Sequence, residues 1–308
     1  MKIYNPNLKK DIVDELKYLD SQYFQVDLPV PFKEGLTLYP VNLRQHDEFL
    51  ACTDCFTLNR LDTTEGIMSK SNLDYLIFKM TQKNDEGIRF SHYFGRMCEL
   101  IFHIKDGIRC RDCGEIIDYQ TFIDKVTKEG ENFVCEKCGS KNFGGVIEYR
   151  QNEETKQNEF WVNGISIDRG EFDRLRQIVM YQNLPDYKDD SWVDPEVRED
   201  QKEKQEILAK KNKAGSATLE RKVVCVSAKT GYKIGELYEL SIRKFLILLS
   251  AVDDLITYET SRIGMMSGMV TMKEPLEHWI YKNESDDLYE AATDAGQFKD
   301  MVSGKGSK

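Results

Sequence analysis

The chain has 308 residues, 40% hydrophobic and 31% charged, with a formal net charge of −10. That balance suits a core-forming chain of one to three domains, and its acidity argues against broad binding to a phosphate backbone. The longest apolar run, around residues 245–249, is flanked by charge and is far too short to span a membrane. The start at Met1 has no apolar leader segment, so the product is expected in the cytoplasm.

Residues 1–35 read as a polar amphipathic helix over about 8–19, followed by an extended arm at 26–32 that contains Pro29 and Pro31. Such an arm has no core of its own and is expected to lie on another part of this chain or on a neighbour. Residues 36–41 alternate like a strand. From Leu43 onward apolar residues recur at helical spacing to Cys55, with Phe49, Leu50 and Cys52 on the expected buried side. Cys52 and Cys55 form a CxxC without a following glycine and without a partner pair, so they read as small core residues. Residues 71–80 read as a helix capped by Ser71 or Asn72. His92 and His103 stand beside aromatic or apolar residues and read as structural. No Ser, His and acid arrangement calls for a nucleophile, and no catalytic residue is expected.

The most specific signal is Cys110-Arg-Asp-Cys113-Gly followed, 21 residues later, by Cys135-Glu-Lys-Cys138-Gly. A Cys-x-x-Cys turn aims two thiolates at one ion, and two such turns complete the tetrahedron that Zn²⁺ prefers. Gly114 and Gly139 allow the positive φ that such a knuckle needs. A redox pair or a disulfide clip is the alternative for a single CxxC. Two glycine-closed pairs, with an expected reduced compartment, favour a metal. Cys110, Cys113, Cys135 and Cys138 are therefore the expected ligands of a structural Zn²⁺, with no open position for chemistry. Strand-like runs at 115–119 and 132–134 suggest two short hairpins that carry the knuckles. Zinc ribbons can bind nucleic acid, but residues 102–145 hold seven Lys/Arg against eight Asp/Glu. That is no basic patch.

After the ribbon, residues 145–149 and 160–167 read as two strands of a hairpin, joined by a polar loop. Asp168 can cap a helix with Phe172, Leu175, Ile178 and Val179 on one face, ending before Pro185. Residues 186–222 shift in composition: an acidic stretch, then a helix over about 195–213 that is polar nearly all round, broken at Gly215 and Ser216. Ser227-Ala228-Lys229, within residues 223–231, resembles the guanine-contacting loop of small GTPases. No phosphate-binding GxxxxGK[ST] accompanies it, so the match reads as chance. Residues 236–240 and 242–261 read as helices, with Leu237, Leu240, Phe245, Leu248, Leu249, Val252 and Ile256 forming an apolar face. Met265, Met266, Met269 and Met272 read as core rather than as an adaptable docking surface. An aromatic segment at 275–281 and an acidic tail from 283, expected to be mobile, close the chain.

Several pieces together resemble a family from tailed bacteriophages of Gram-positive hosts. They are Leu38-Tyr-Pro-Val, Asn72-Leu-Asp-Tyr-Leu, the paired knuckles, Val162-Asn-Gly-Ile and Tyr181-Gln-Asn-Leu-Pro-Asp-Tyr187. The carboxyl part adds Leu240-Ser-Ile-Arg-Lys-Phe245, Met266-Ser-Gly-Met-Val270 and His278-Trp279. The order of the first half is similar to baseplate-hub and tail-assembly proteins. The resemblance implies a non-enzymatic structural or chaperone role in a tail or baseplate, within a multi-subunit assembly, with other phage tail or baseplate proteins as partners. It places the protein in the host cytoplasm during assembly, with the virion tail or baseplate as a further location. The alternative function is a zinc-ribbon nucleic-acid-binding or transcription-complex factor.

The expected fold is α+β. Its parts are a helix and arm (1–35), a mixed domain (36–105), the inserted four-cysteine zinc ribbon (106–145), a hairpin–helix segment (146–185), an acidic linker with a polar helix (186–222), a helical part (223–282) and a tail (283–308).

Overall fold

The structure, a computed structural model, describes residues 3–60, 71–83, 88–130, 133–211, 217–267 and 278–279. The fold is α+β, with small antiparallel sheets and a helical carboxyl part. The chain divides into two compact units. One comprises Lys10–Val41 and Gln45–Gln182, and the other comprises Met1–Lys9, Asn42–Arg44 and Asn183–Lys308. Among the described residues, no helix is long and apolar enough to cross a membrane. The expected break at Gly215 and Ser216, Met269 and Met272, most of the segment 275–281, and the tail from 283 lie outside the described residues.

The larger unit opens with α1 (Lys10–Leu19), which continues as a π-helical turn, Asp20–Phe24. The expected arm is only partly an arm. Its second half is β1 (Val30–Lys33), paired antiparallel with β2 (Leu36–Leu38). Gly35, at φ +80°, makes the tight return, a conformation that glycine adopts without steric cost. The alternate residues Val30, Phe32, Leu36 and Leu38 are all buried, so the hairpin has an inner face.

The helices α2 (His46–Cys52), α3 (Asp54–Thr57), α4 (Asn72–Met80) and α5 (Phe90–Phe102) follow. Phe49 and Cys52 are buried as expected, but Leu50 is exposed. It follows Phe49 by one position, which turns it about 100° away from the buried side of a helix. Cys52, Cys55 and Cys98 are buried thiols. Burial first, and Glu48 second, push the Cys52 thiol up to about 11. His103 ends α5 in a left-handed conformation and stacks on Tyr39, with ring centroids 4.1 Å apart.

β6 (Ile147–Gln151), β7 (Asn158–Val162) and β8 (Ile165–Ile167) form a three-stranded meander. The expected single strand at 160–167 is thus two strands. Asn163 and Gly164 sit at φ +49° and +81° between them, the two positive-φ positions of a type I′ hairpin turn.

α7 (Arg169–Asn183) then packs back on the sheet, capped as expected. The Glu171 amide donates to the Asp168 carboxylate at 2.8 Å, and the Asp168 amide donates to Glu171 at 3.0 Å. The core joins these elements through four buried rings. Phe56 meets Phe94 and Phe172, and Phe160 meets the same two, with centroids 5.5–6.5 Å apart and tilted to edge-on geometry. Such edge-to-face pairs contribute beyond their buried area.

The smaller unit contains α8 (Pro195–Lys211), α9 (Leu219–Thr230), α10 (Ile234–Tyr238) and α11 (Ile242–Met266). Its core is Leu43, Val223, Val226, Leu237 and Phe245. The Leu43 amide donates to the Leu240 carbonyl at 2.8 Å and ties the short 42–44 segment to this cluster. Ser227-Ala228-Lys229 is helical, not a loop. Thr218 caps the start of α9, and Gly231, at φ +80°, ends it. One more expectation is corrected on α11: Met266 is 78% exposed, so it is not core among the described residues, and Ile256, on the expected apolar face, is 44% exposed.

Candidate metal centre

The ribbon is an excursion from the larger unit. It leaves at Gly107 and returns at Val146, whose amide donates to the Gly107 carbonyl at 2.8 Å. Within it, β3 (Ile108–Cys110) is flanked by β4 (Ile116–Ile117) and β5 (Phe143–Gly145), both antiparallel to it. Gly107 allows β4 to approach. A Cβ there would lie 2.7 Å from the carbonyl oxygen of Ile117.

The two knuckles repeat one hydrogen-bond pattern. The Gly114 amide donates to the Cys110 carbonyl at 2.9 Å, and the Gly139 amide donates to the Cys135 carbonyl at 2.7 Å. The Cys110 amide donates to Glu115, and the Cys135 amide to Ser140, both at 2.8 Å. Each knuckle is therefore a closed turn that holds its two sulfurs on one side. Asp112 links the knuckles, accepting from the hydroxyl of Ser140 and, at 3.0 Å, from the amide of Asn142. Lys137 reaches across to Glu115 at 3.3 Å.

This brings all four expected cysteines together. The sulfurs of Cys110 and Cys138 are 3.6 Å apart, as are those of Cys113 and Cys135. All four lie within 4.8 Å of one another. Disulfide sulfurs would lie about 2.05 Å apart, so these are separate thiols. A tetrahedron with metal–sulfur bonds of about 2.3 Å has edges of roughly 3.8 Å. The four sulfurs can hold one metal ion, and the protein supplies every corner. Among the described residues they are the one group of three or more metal-ligating side chains that clusters in this way.

The charge balance agrees. The amide of Cys113, with that of Asp112 and its thiol neighbours, draws Cys110 down to about 6 despite the cost of desolvation. The Ser140 amide likewise favours the Cys138 thiolate. Cys113, burial, Cys110 and Cys135 outweigh it and push Cys138 up to about 12. Four sulfurs at this separation cannot all carry negative charge without a cation between them.

Between the knuckles in the chain comes α6 (Tyr119–Glu129); the first strand-like run, expected at 115–119, contains β4 and gives way to this helix at Tyr119. Phe133 and Val134, from the expected second strand, lie outside any strand. Asp118 caps α6 through the Thr121 amide at 2.9 Å. Its inner side contributes Phe122 to a three-ring cluster with Phe133 and Phe143, with centroids 5.1–5.4 Å apart. Its other apolar residues face outward. Tyr119 is 44% exposed, Ile123 54% and Val126 37%, and Ile116 on β4 is 43% exposed. The i, i+4, i+7 spacing of Tyr119, Ile123 and Val126 was the available signal for this helix.

No family model, curated protein or solved structure matches the chain.

Proposed function

We propose that the chain is a non-enzymatic assembly protein, held locally by a structural Zn²⁺ and acting through protein–protein contacts. Zinc is the reading of the ion because four clustered thiolates suit a soft or borderline metal of tetrahedral preference. A site with four protein ligands has no open position for water or substrate, so the ion supplies folding energy. The observation that carries the contact role is the outward apolar face of Ile116, Tyr119, Ile123 and Val126. A small metal-held module that turns four apolar side chains to solvent suits a partner surface.

The resemblance to baseplate-hub and tail-assembly proteins supports a tail or baseplate as the assembly concerned. Other tail or baseplate polypeptides are then the partners.

The test is purification of tagged chain from cells producing the particle, with identification of what accompanies it. Tail or baseplate polypeptides should accompany the parent chain and be lost with Ile123→Glu. Recovery of RNA polymerase or nucleic acid instead would favour the ribbon-factor alternative and overturn the assembly reading.

A further inference from the structure

Arg109 on β3 and Arg111 just beyond its end rise from one face of the ribbon sheet, over a floor of glycines. Gly144 pairs with Arg109 across the strands, and a Cβ there would collide with Nε of Arg111. A Cβ on Gly164 would lie 2.5 Å from Nη1 of Arg109, and the same guanidinium passes 3.5 Å from the Cβ position of Gly114. Gly114 and Gly164 also serve turns at positive φ, but Gly144 does not. Glycine inside a strand weakens it and marks a close approach. What Gly144 supplies is room for an arginine.

The outer face of the meander continues this surface. Glu148 on β6 accepts from Arg111 at 3.0 Å and also from Arg150, whose guanidinium lies 4.6 Å from the centroid of the Trp161 ring. Glu159, opposite Arg150, accepts from Asn152 at 2.7 Å. Arg111 and Arg150 therefore share one carboxylate, and Arg109 has none. Among the described residues it makes no ion pair, and its Nε is buried without a hydrogen-bond partner. A guanidinium stays charged at any ordinary pH and presents its donors as a rigid fork. Wedged between the first knuckle and the Asn163–Gly164 turn, this fork is held in place before any acceptor arrives.

We propose that Arg109 and Arg111 bind a small phosphoryl-bearing anion at this seam between ribbon and meander. Phosphoryl oxygens match the guanidinium fork and take two parallel hydrogen bonds from it. The partner is small because the whole chain carries a net charge of −10, which repels an extended nucleic-acid strand. A short anion meets only the local field of Arg109, Arg111 and Arg150. The inference does not depend on the assembly reading.

Calorimetric titration of the full metal-loaded chain with inorganic pyrophosphate, at constant ionic strength, tests it. Binding should saturate at one site per chain. Arg109→Ala should weaken it by about tenfold or more. Arg109→Lys keeps the stem and the charge, and so the packing, but loses the fork and should also bind more weakly. Arg221→Ala, on α9, should bind as the parent does. In nitrogen-15 spectra the Arg109 Nε–H signal, identified by its loss in Arg109→Lys, should move as pyrophosphate is added. Absence of saturable binding would overturn the proposal. So would parental affinity in both Arg109 variants, an unmoved Arg109 signal, or tighter binding of a single-stranded oligonucleotide of about ten nucleotides than of pyrophosphate.

Discussion

Gly114 and Gly139 hold the same place in the two knuckles. Each closes its turn by donating to the carbonyl of the leading cysteine, and each does so at positive φ, +79° and +74°. A Cβ on Gly139 would meet nothing within 4 Å. The glycine is thus required for its backbone conformation and not for space. Gly139→Ala should cost about 1–2 kcal/mol, the penalty of a left-handed conformation for an L-residue. Gly139→Asn should cost less, because asparagine tolerates that region better. Denaturant unfolding of the metal-loaded chain checks both, and an alanine variant as stable as the parent would remove the conformational argument.

Metal removal should act locally. Structural zinc binding contributes about 10–16 kcal/mol in small zinc-finger peptides, whereas the larger unit has its own core around Phe160 and Phe172. Chelation, or Cys110→Ser, should therefore abolish a stoichiometry of one ion per chain. It should also expose the amides of Gly114 and Gly139 to hydrogen exchange, while those of α7 stay protected. Metal content unchanged in Cys110→Ser would refute the ligand assignment. Because protons compete with the ion for the thiolates, retention should weaken as pH falls.

Asp74 predicts a second pH effect, away from the ribbon. Burial raises its pKa, but the amide and hydroxyl of Ser71, the amide of Asn158 and the guanidinium of Arg169 outweigh burial and hold it below the usual carboxylate value. Arg169 approaches to 2.9 Å and Asn158 to 2.7 Å. A depressed carboxylate stabilises the fold above its unfolded pKa, near 3.9, and that stability is lost as pH falls through the lower folded value. Asp74→Asn should cost roughly 2–3 kcal/mol at neutral pH, since it leaves the arginine without its charged partner. The difference between variant and parent should shrink in acid. A constant difference down to the acid limit would show that Asp74 acts by packing alone.

What could be read from the residues, and what could not, follows physical lines. Cys110, Cys113, Cys135 and Cys138 were legible because ligand type, spacing and the closing glycines all act within a few residues. The cap at Asp168 and the buried face of α7 were legible for the same reason. The signal for α6 was also local, in Asp118 and in the spacing of Tyr119, Ile123 and Val126, while the strand read just before it at 115–119 is present as the shorter β4. The turn at Asn163 and Gly164 carries the hairpin signature and was hidden inside an apolar run. Val223-Val-Cys-Val, before Ser227, has the β-branched character of a strand, yet Thr218 and Gly231 bracket a helix there. On α11, periodicity identified the apolar side. It could not say where α9 would stop covering it, because that depends on the length of a different helix.

The contact between Val146 and Gly107 gives the ribbon the character of a cassette. Its two ends enter and leave side by side, and between them Arg111 also reaches Glu148 on β6 at 3.0 Å. Closing a loop grows costlier only slowly with its length. An insert of greater length or without structure therefore adds little closure cost here, apart from the loss of the Arg111–Glu148 pair. Removal of a metal from the four cysteines is therefore expected to disorder the ribbon while the four-ring core remains folded.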